Sequence, residues 1–568
     1  MTPEELFALA HSQLMQQKWQ DALSTYDRLL SLKPDFLEAI ANRGILLQNM
    51  RRPAEALAAF DRVAALNPNS ADSHNLRGTA LADLFRIDDA IACFRRALTL
   101  QPRFTRAWFN LAHAYGKAEM FTEALAAYDT GLRLAPSPDM EAARFFAGLY
   151  LCDWRDYPAQ CRKHLSAIED GRITVQPFQM LFLPSTPEQQ LACAERAAPP
   201  AHPAVTHRAR KPGRLRIAYL SAVFGNHPVS YLLSETLERH DRSEFEIFAI
   251  SYGADDGSAA RKRVAAAVEH FIDVNGLDDA AIADRIAELG IDIAIDLDGH
   301  TKDARPGILS LRPATAQAQY LGYPGTMGAP HIDYLIADAI IAPPTHQQFY
   351  SEKLLILPGC YLPGTSRPSG KTLSRADAGL PASGFVFCAF TAPYKISPDS
   401  FSAWMRILAR MPQSILWLRD GPPTLKENLG RHARAAGIDP ARLIFAPHTD
   451  AATHFARLAL ADLYLDTFIY GAHTTASDAL WAGVPVIALL GETFARRVGA
   501  SLLTDAGLID LIARDIQAYE NLAVTLAEQP ETLARAKETL AQHRAGLFDA
   551  APNRLESAFR QIWAQTNK

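Results

Sequence analysis

The chain has 568 residues, too many for one hydrophobic core, and this length suggests roughly three or four structural units. Its 48% hydrophobic and 21% charged residues are typical of a globular protein, and a formal charge of −5 offers no basic excess for nucleic acid. The first residues carry two acids and no apolar run, no stretch of about 18 apolar residues occurs, and the six cysteines form no CxxC pair. We therefore expect no secretory signal, no membrane or nucleic-acid partner and no zinc site, and we expect a cytoplasmic location.

Residues 1–136 repeat with a period of 34 residues. Each unit has a small residue in its first half, an alanine and an aromatic residue in its second half, and a proline at its end. These positions are Ala10, Gly44, Gly78 and Ala112; Ala22, Ala56, Ala90 and Ala124; Tyr26, Phe60, Phe94 and Tyr128; and Pro34, Pro68, Pro102 and Pro136. Small residues let two helices approach, the ring fills the gap to the next repeat, and proline ends the second helix. The segment resembles four tetratricopeptide repeats, and residues 137–212 are predicted to form a degenerate helical repeat and a Pro/Ala/His-rich linker.

From residue 213 onwards, short apolar runs alternate with amphipathic helices. The first series is LRIAYLSAVF, FEIFAISYG, IDIAIDLDG, AQYLGYPG and DYLIADAII; after a break around Pro368–Pro381, the second is FVFCAFTAPYKI, SILWLRDG, RLIFAP, ADLYLDTF and PVIALLGE. This pattern predicts two Rossmann-like, doubly wound parallel sheets, over residues 213–380 and 381–568, with a helical C-terminal tail from Ile516. Two such sheets without a GxGxxG fingerprint argue against an NAD-dependent dehydrogenase. They favour the GT-B architecture of nucleotide-sugar transferases, with ligands at the carboxyl ends of the strands.

The second half carries a candidate diphosphate site. His473, Thr474 and Thr475 open a helix after a strand, and free amides with two hydroxyls suit an anion. Asp478, one helical turn further, can accept hydrogen bonds from ribose hydroxyls. Lys395 follows another strand and can neutralise a leaving diphosphate. The alternatives are that Thr474 only caps the helix and that Lys395 is a solvated surface lysine.

Three further segments end predicted strands. His227, in a Gly-Asn-His-Pro turn, is a candidate general base or a donor to phosphate or sugar, unless it only pins its own turn. The LGYPGT exit, with Gly322, Pro324 and Gly325, allows the backbone to approach a ligand closely. A later helix offers His454 to stack on a base and Arg457 beside it, unless both are ordinary surface residues. Both residues lie in the segment APHTDAATHFARL.

These motifs, in this order after the repeats, resemble the O-GlcNAc transferase family. The resemblance rests on FGNHP, LGYPGT, YKI, HTT-x-x-D followed by LWAG-x-P, and GET-x-A-x-RV-x-AS. It implies an inverting, metal-independent transfer from UDP-GlcNAc to serine or threonine hydroxyls of proteins. Carried over position by position, it places Lys395, Thr474 and Thr475 at the β-phosphate, Asp478 at the ribose, His454 at the uracil, His227 near sugar and acceptor, and Tyr394 beside the phosphate lysine.

The sequence also departs from that family. The long insert of its larger members is missing, Ala451 stands where a nucleotide-contacting lysine is expected, and Ala392 replaces a glutamine. Nucleotide binding is therefore weaker or differently shaped. The related bacterial branch that places glucose on asparagine shares this architecture, so the donor can be UDP-GlcNAc or another UDP-sugar. The asparagines that line the groove of the repeats in the family correspond to Ala8, Asn42, Leu76 and Asn110, so a peptide groove and a simple scaffold both remain open.

Asp296-Leu297-Asp298 is a DxD sequence of the kind that holds a metal in other transferases. It ends a strand of the first half, away from the predicted phosphate site, so we expect a polar role, shared with His300, and no metal cofactor. Asp296, Asp298 and the donor phosphate are alternatives to His227 as the base. Two competing functions are a tetratricopeptide interaction protein that senses nucleotide sugar without catalysis, and a nucleotide-sugar epimerase.

Overall fold

The structure is a computed structural model that describes residues 1–50, 52–173, 175–200, 202–203, 205, 213–365, 367, 371–549 and 551–566. Most of the predicted linker 197–212 and part of the break at 368–381 lie outside the described residues. The chain forms two compact units, Met1–Leu151 and Cys152–Lys568. Within the described part of the chain, no helix is long and apolar enough to cross a membrane.

The first unit consists of helices that pack on their neighbours in chain order. They are α1 (Pro3–Met15), α2 (Trp19–Leu32), α3 (Leu37–Asn49), α4 (Pro53–Leu66), α5 (Ala71–Asp83), α6 (Ile87–Leu100), α7 (Thr105–Lys117), α8 (Phe121–Leu134) and α9 (Pro138–Leu149). A Cβ atom on Gly44 would lie 2.4 Å from the Phe60 ring, and one on Gly78 would lie 2.5 Å from the Phe94 ring. The predicted close approach of two helices at the small residues is confirmed at these two glycines, and there the ring packs on the glycine of its own repeat.

Two of the four groove positions of the repeats make contacts within the first unit. Leu76 packs against the hydrophobic core of the first repeats, and Asn110 donates its side-chain amide to Asn75 Oδ1 at 2.9 Å. These two positions are therefore occupied by contacts within the first unit itself.

The second unit begins with α10 (Tyr157–Glu169), α11 (Pro177–Met180) and α12 (Pro187–Ala197) and continues into a parallel sheet. Its strands are β1 (Leu215–Ser221), β2 (Phe245–Ser251), β3 (His270–Asp273), β4 (Ile293–Asp296), β5 (Ala316–Gln319), β6 (Tyr334–Asp338) and β7 (Lys353–Leu357), in the order β3-β2-β1-β4-β5-β6-β7. The helices between them are α13 (Pro228–Arg239), α14 (Ala259–Ala267), α15 (Asp279–Leu289) and α16 (Gly307–Ser310). The short edge strands β3 and β7 were not predicted.

The second sheet has the order β10-β9-β8-β11-β12-β13 and is also parallel. Its strands are β8 (Val386–Ala389), β9 (Ile415–Arg419), β10 (Leu443–Ala446), β11 (Leu463–Leu465), β12 (Val486–Leu489) and β13 (Ile512–Ala513). The helices are α17 (Pro398–Arg410), α18 (Pro423–Ala435), α19 (Ala451–Leu458), α20 (Thr474–Trp481), α21 (Val498–Asp505) and the tail helices α22 (Ile516–Glu528), α23 (Pro530–Asp549) and α24 (Ala551–Thr566). The predicted pair of doubly wound sheets with a helical tail is confirmed.

The C-terminal helix α24 returns to the first sheet. The buried His240 ring donates from Nδ1 to Glu556 at 3.1 Å and accepts from the Tyr219 hydroxyl at 2.8 Å. This buried polar contact fixes the last helix against the first half of the unit.

The strand order reverses between β1 and β4 in the first sheet and between β8 and β11 in the second. Helices depart to opposite faces at such a reversal, which leaves a crevice outside the carboxyl ends of the two strands. The loops after these four strands are therefore the places where a ligand is expected.

Candidate functional site

Two loops at the reversal point of the second sheet bring Lys395 and Asp466 together. Lys395 ends a short turn after β8, and its Nζ donates to the Gly471 carbonyl at 3.0 Å and lies 3.7 Å from the centroid of the Tyr470 ring. Asp466 directly follows β11 and accepts from the backbone N–H of Thr467 at 2.7 Å. The loop from 466 to 472 therefore wraps around the lysine head group.

Burial sets the charge of this pair. Desolvation lowers the pKa of Lys395 to about 7, and the nearby Asp466 carboxylate opposes that effect. Desolvation raises the pKa of Asp466 to about 7, against the hydrogen bonds and the lysine that favour its charged form. Lys395 is therefore not a solvated surface lysine, and an arriving anion would favour its protonated state.

The N-terminus of α20 lies beside this pair. His473 occupies the cap position with no side-chain capping bond and donates from Nε2 to the Ala495 carbonyl at 3.1 Å. The Thr475 hydroxyl accepts from Tyr464 at 3.1 Å, whereas the Thr474 hydroxyl makes no hydrogen bond among the described residues. The alternative that Thr474 caps this helix is wrong, because the cap is His473. The first amides of α20 and the Thr474 hydroxyl are thus available to an anion.

Asp478, one turn inside α20, has a cationic partner that the sequence did not reveal. The Arg367 guanidinium donates from Nε to Asp478 Oδ1 at 2.8 Å and from Nη2 to Ser477 Oγ at 3.3 Å. Burial raises the pKa of the Asp478 carboxyl, and Arg367 counteracts that rise. Arg367 was missed because it belongs to the segment between the sheets, 111 residues earlier in the chain.

An aromatic cluster encloses Tyr394, the residue before Lys395. Its ring stacks on Phe182 with centroids 4.4 Å apart, and Phe178 and Tyr470 lie at 6.2 Å. Burial raises the pKa of the Tyr394 hydroxyl to about 12, so it is protonated at neutral pH. Phe178 and Phe182 come from the α11 region before the first sheet, which no pattern in the sequence connects to the lysine.

His454 and Arg457 lie together on α19. Arg457 Nε donates to His454 Nδ1 at 3.2 Å, and both side chains contact Phe390 at the end of β8, with centroid distances of 5.6 Å for His454 and 5.3 Å for Arg457. Burial, followed by the charge of Arg457, lowers the pKa of His454 to about 4. The neutral imidazole is partly buried rather than freely solvated, and it packs on Phe390 directly after β8, the strand that leads into the lysine loop.

His227 follows β1 at the reversal point of the first sheet and caps α13. Its Nδ1 accepts from the Val229 N–H at 3.3 Å, and desolvation lowers its pKa to about 4. A neutral imidazole that accepts at Nδ1 carries its proton on Nε2, so the free nitrogen is a hydrogen-bond donor. Of the two roles predicted for His227, the geometry favours the donor over the general base.

The DxD carboxylates are engaged by the protein. Asp296 Oδ1 accepts from the N–H groups of Asp298 and Gly299 at 2.9 and 3.0 Å, while Asp298 accepts from Ser221 Oγ at 2.7 Å and Tyr252 Oη at 2.6 Å. Burial raises the pKa of Asp298 to about 7. This pattern ties the ends of β1, β2 and β4 together, and His300 donates from Nε2 to the Met327 carbonyl at 2.9 Å nearby.

The glycine-rich loop after β5 lies close to other parts of the protein's own chain. A Cβ on Gly322 would lie 1.9 Å from the Leu297 carbonyl oxygen, and one on Gly325 would lie 3.1 Å from the Tyr323 ring. Pro324 is buried between them. The glycines are thus required by packing within the first half, and their predicted approach to a ligand stays a prediction.

The structure therefore groups the predicted residues at two edges. Lys395, Tyr394, His473 and the two threonines converge at the reversal point of the second sheet. Asp478 is one helical turn away, and His454 and Arg457 lie on α19 against Phe390. His227, Gly322, Pro324 and Gly325 lie at the carboxyl edge of the first sheet. No cluster of three or more potential metal-ligating side chains occurs in the portions of the chain that the structure describes.

Two doubly wound sheets in one unit, each with its loops at the reversal point, form the GT-B architecture, and a partly buried lysine lies beside a helix N-terminus in the second sheet. The sequence profile of Glycosyl transferase family 41 matches residues 151–369 and 367–552, and Tetratricopeptide repeat profiles match residues 9–80 and 76–139. The chain belongs to glycosyl transferase family 41.

Curated relatives and a solved structure agree with this assignment. An Arabidopsis thaliana protein named "Probable UDP-N-acetylglucosamine--peptide N-acetylglucosaminyltransferase SEC" is 37% identical over 417 residues, covering 69% of this chain and 43% of the plant protein. The Caenorhabditis elegans UDP-N-acetylglucosamine--peptide N-acetylglucosaminyltransferase is 28% identical over 550 residues, covering 73% of this chain and 48% of its own. The chain thus spans less than half the length of these relatives.

The structure of a mutant Thermobaculum terrenum O-GlcNAc transferase is similar along the whole chain. It is 26% identical, has a TM-score of 0.60, and the match covers 99% of this chain and 98% of the other. The arrangement of repeats followed by two sheets is therefore shared with a protein of similar length.

Proposed function

We propose that the protein transfers N-acetylglucosamine from UDP-GlcNAc to serine and threonine hydroxyls of proteins. The observation that carries this proposal is the partly buried Lys395 ammonium, held beside the free amides and the Thr474 hydroxyl at the start of α20. Membership of family 41 and the names of its relatives support UDP-GlcNAc as the donor and a protein as the acceptor.

The proposed reaction is a single in-line displacement. The acceptor hydroxyl attacks the anomeric carbon on the face opposite the diphosphate, the bond from that carbon to the diphosphate oxygen breaks, and the configuration inverts. Lys395 and the N-terminus of α20 stabilise the negative charge that develops on the leaving UDP. Because Lys395 is partly buried, water screens its charge less than it screens that of an exposed lysine.

The proton of the acceptor must leave during the attack. His227 presents an N–H from Nε2 and serves as a donor to the sugar or phosphate, and Asp298 is occupied by hydroxyl donors. The donor phosphate is therefore the acceptor of that proton in this proposal. We place His454 and Arg457 at the uracil, and Asp478 at the ribose.

The remaining parts of the proposal concern partners and conditions. No metal is required, because a lysine and a helix N-terminus supply the positive charge that a metal provides in other transferases. The repeats of the first unit receive protein partners, either substrates in the groove or other proteins. The cytoplasmic location inferred from the scattered thiols belongs to the same proposal.

The test is UDP release from UDP-GlcNAc and from UDP-glucose, each with and without a cytosolic extract as acceptor, together with detection of sugar on protein. Lys395→Ala should abolish release, and Lys262→Ala, an exposed lysine on α14, should leave it unchanged. Release only with UDP-glucose would overturn the choice of donor. Tight UDP binding without release would favour the sensor, and conversion of the donor sugar without protein labelling would favour the epimerase.

A further inference from the structure

The segment between the two sheets places a buried guanidinium against the proposed nucleotide site. Arg367 is only 9% exposed, and its three nitrogens all have partners: Nε bonds Asp478 Oδ1 at 2.8 Å, Nη2 bonds Ser477 Oγ at 3.3 Å and Nη1 bonds the Thr365 carbonyl at 2.9 Å. The guanidinium plane is therefore held in one orientation by both its own segment and α20.

This ion pair uses one carboxylate oxygen and leaves the other free. Arg367 does not form a bidentate ion pair with Asp478, because its Nη2 donates to Ser477 Oγ instead. Asp478 Oδ2 accepts no hydrogen bond from the residues that the structure describes, although the side chain is only 13% exposed. This oxygen is open to a hydrogen-bond donor, and a ligand hydroxyl would supply one.

The charge of Arg367 also opposes the effect of burial on the pKa of Asp478. Burial alone raises the pKa of this carboxyl, and a protonated acid loses much of its power to accept a hydrogen bond. The guanidinium favours the ionised form, in which Oδ2 is a strong acceptor. Arg367 thus orients the free oxygen and favours its charged form.

We propose that Arg367 is a positioning residue for the nucleotide: it holds the Asp478 carboxylate in the orientation in which Oδ2 accepts a hydrogen bond from a ribose hydroxyl of the donor. The inference rests on the proposed function, which supplies the nucleotide. Through Arg367, the segment between the two sheets takes part in recognising the ribose, away from the bond that breaks.

The experiment compares UDP with 2′,3′-dideoxy-UDP, binding each to the full chain by calorimetry. Hydrogen bonds to charged groups imply that the wild type prefers UDP by about 10- to 100-fold. Arg367→Gln should reduce that preference to less than about threefold while changing the affinity for the dideoxy nucleotide by less than about twofold. Arg367→Lys, which keeps the charge but not the planar geometry, should give an intermediate preference.

A double-mutant cycle with Asp478→Asn separates positioning from a merely structural role. If Arg367 acts through Asp478, the double variant should prefer UDP over the dideoxy nucleotide as much as Asp478→Asn alone does. It should also bind UDP no more weakly than Asp478→Asn alone. The matched control is Arg375→Gln, which breaks a partly buried pair with Asp462 at the opposite edge of the second sheet and should leave the preference for UDP intact.

Each other outcome overturns the inference. An unchanged preference for UDP in Arg367→Gln means that Arg367 does not position the carboxylate. Tighter UDP binding in that variant means that Arg367 blocks the site. Equal affinities of the wild type for both nucleotides would refute the hydrogen bond to the ribose but not the proposed sugar transfer. The lack of any UDP binding would refute the proposed function itself.

Discussion

Binding of UDP-GlcNAc at pH 8 should draw close to one proton from solution, because burial lowers the pKa of the Lys395 ammonium to about 7 in the free protein. A group with this pKa is only about 10% protonated at pH 8 and about half protonated at pH 7. A diphosphate beside the ammonium favours the charged form and raises that pKa. Lys395 alone therefore accounts for an uptake of about 0.9 proton per donor at pH 8 and about 0.5 at pH 7.

The sign of the pH dependence follows from the free protein. Since the free lysine loses its proton above pH 7 and the bound lysine keeps it, donor affinity is highest below pH 7. It falls by up to about tenfold per pH unit as the pH rises towards the pKa of the bound state. Calorimetry in buffers of different ionisation enthalpy measures the uptake directly, without an acceptor.

Two variants identify the group that takes up the proton. Lys395→Arg replaces the lysine by a group that is always charged, so its uptake at pH 8 should fall sharply. Asp466 also has a pKa raised to about 7 and could contribute a proton. Asp466→Asn removes that contribution. It also removes the carboxylate that raises the pKa of the lysine, so the uptake by Lys395 itself at pH 7 should rise towards one proton. An uptake below about 0.2 at pH 8 in the wild type would refute a neutral Lys395 in the free site.

Three further substitutions test separate parts of the argument. His227→Asn should keep turnover within about tenfold of the wild type and His227→Ala should lose on the order of 100-fold, because asparagine retains both a cap and a donor. Equal losses in a transfer assay would point to a general base. Tyr470→Leu should lower kcat about tenfold by removing the ring beneath Lys395, and Tyr470→Phe should preserve it; equal rates for the two variants would contradict this support. Gly44→Ala should destabilise the repeats by about 1–3 kcal/mol, because the methyl overlaps a packed ring, whereas Gly116→Ala should stabilise them by about 0.5–1 kcal/mol. Hydrogen exchange in the first unit measures both, and an unaffected Gly44→Ala protein would contradict the packing.

Much of the fold follows from local patterns that survive in a single sequence. The period of 34 residues reports the helical repeats, because every unit must place a small residue where a ring packs. The central strands were predicted because buried parallel strands form continuous apolar runs. The edge strands His270–Asp273 and Lys353–Leu357 were missed, since a short strand paired on one side needs less apolar surface.

The sequence placed Lys395, His473 and Thr474 after strands or at a helix start, and those positions depend only on local order along the chain. Their electrostatic state depends on residues that are far away in sequence. Asp466 and Tyr470 reach Lys395 only because β8 and β11 are neighbours in the sheet.

The sequence by itself therefore determined the repeats, the two sheets, the family and the loops in which a ligand is expected, because these follow from periodicity and from motifs of adjacent residues. Only the tertiary structure decided that Lys395 is buried with a lowered pKa, that His227 offers a donor, and that Arg367 leaves one oxygen of Asp478 free. Desolvation, tautomer and ion pairing are set by what surrounds a side chain in space, and that surrounding comes from segments that no local pattern connects.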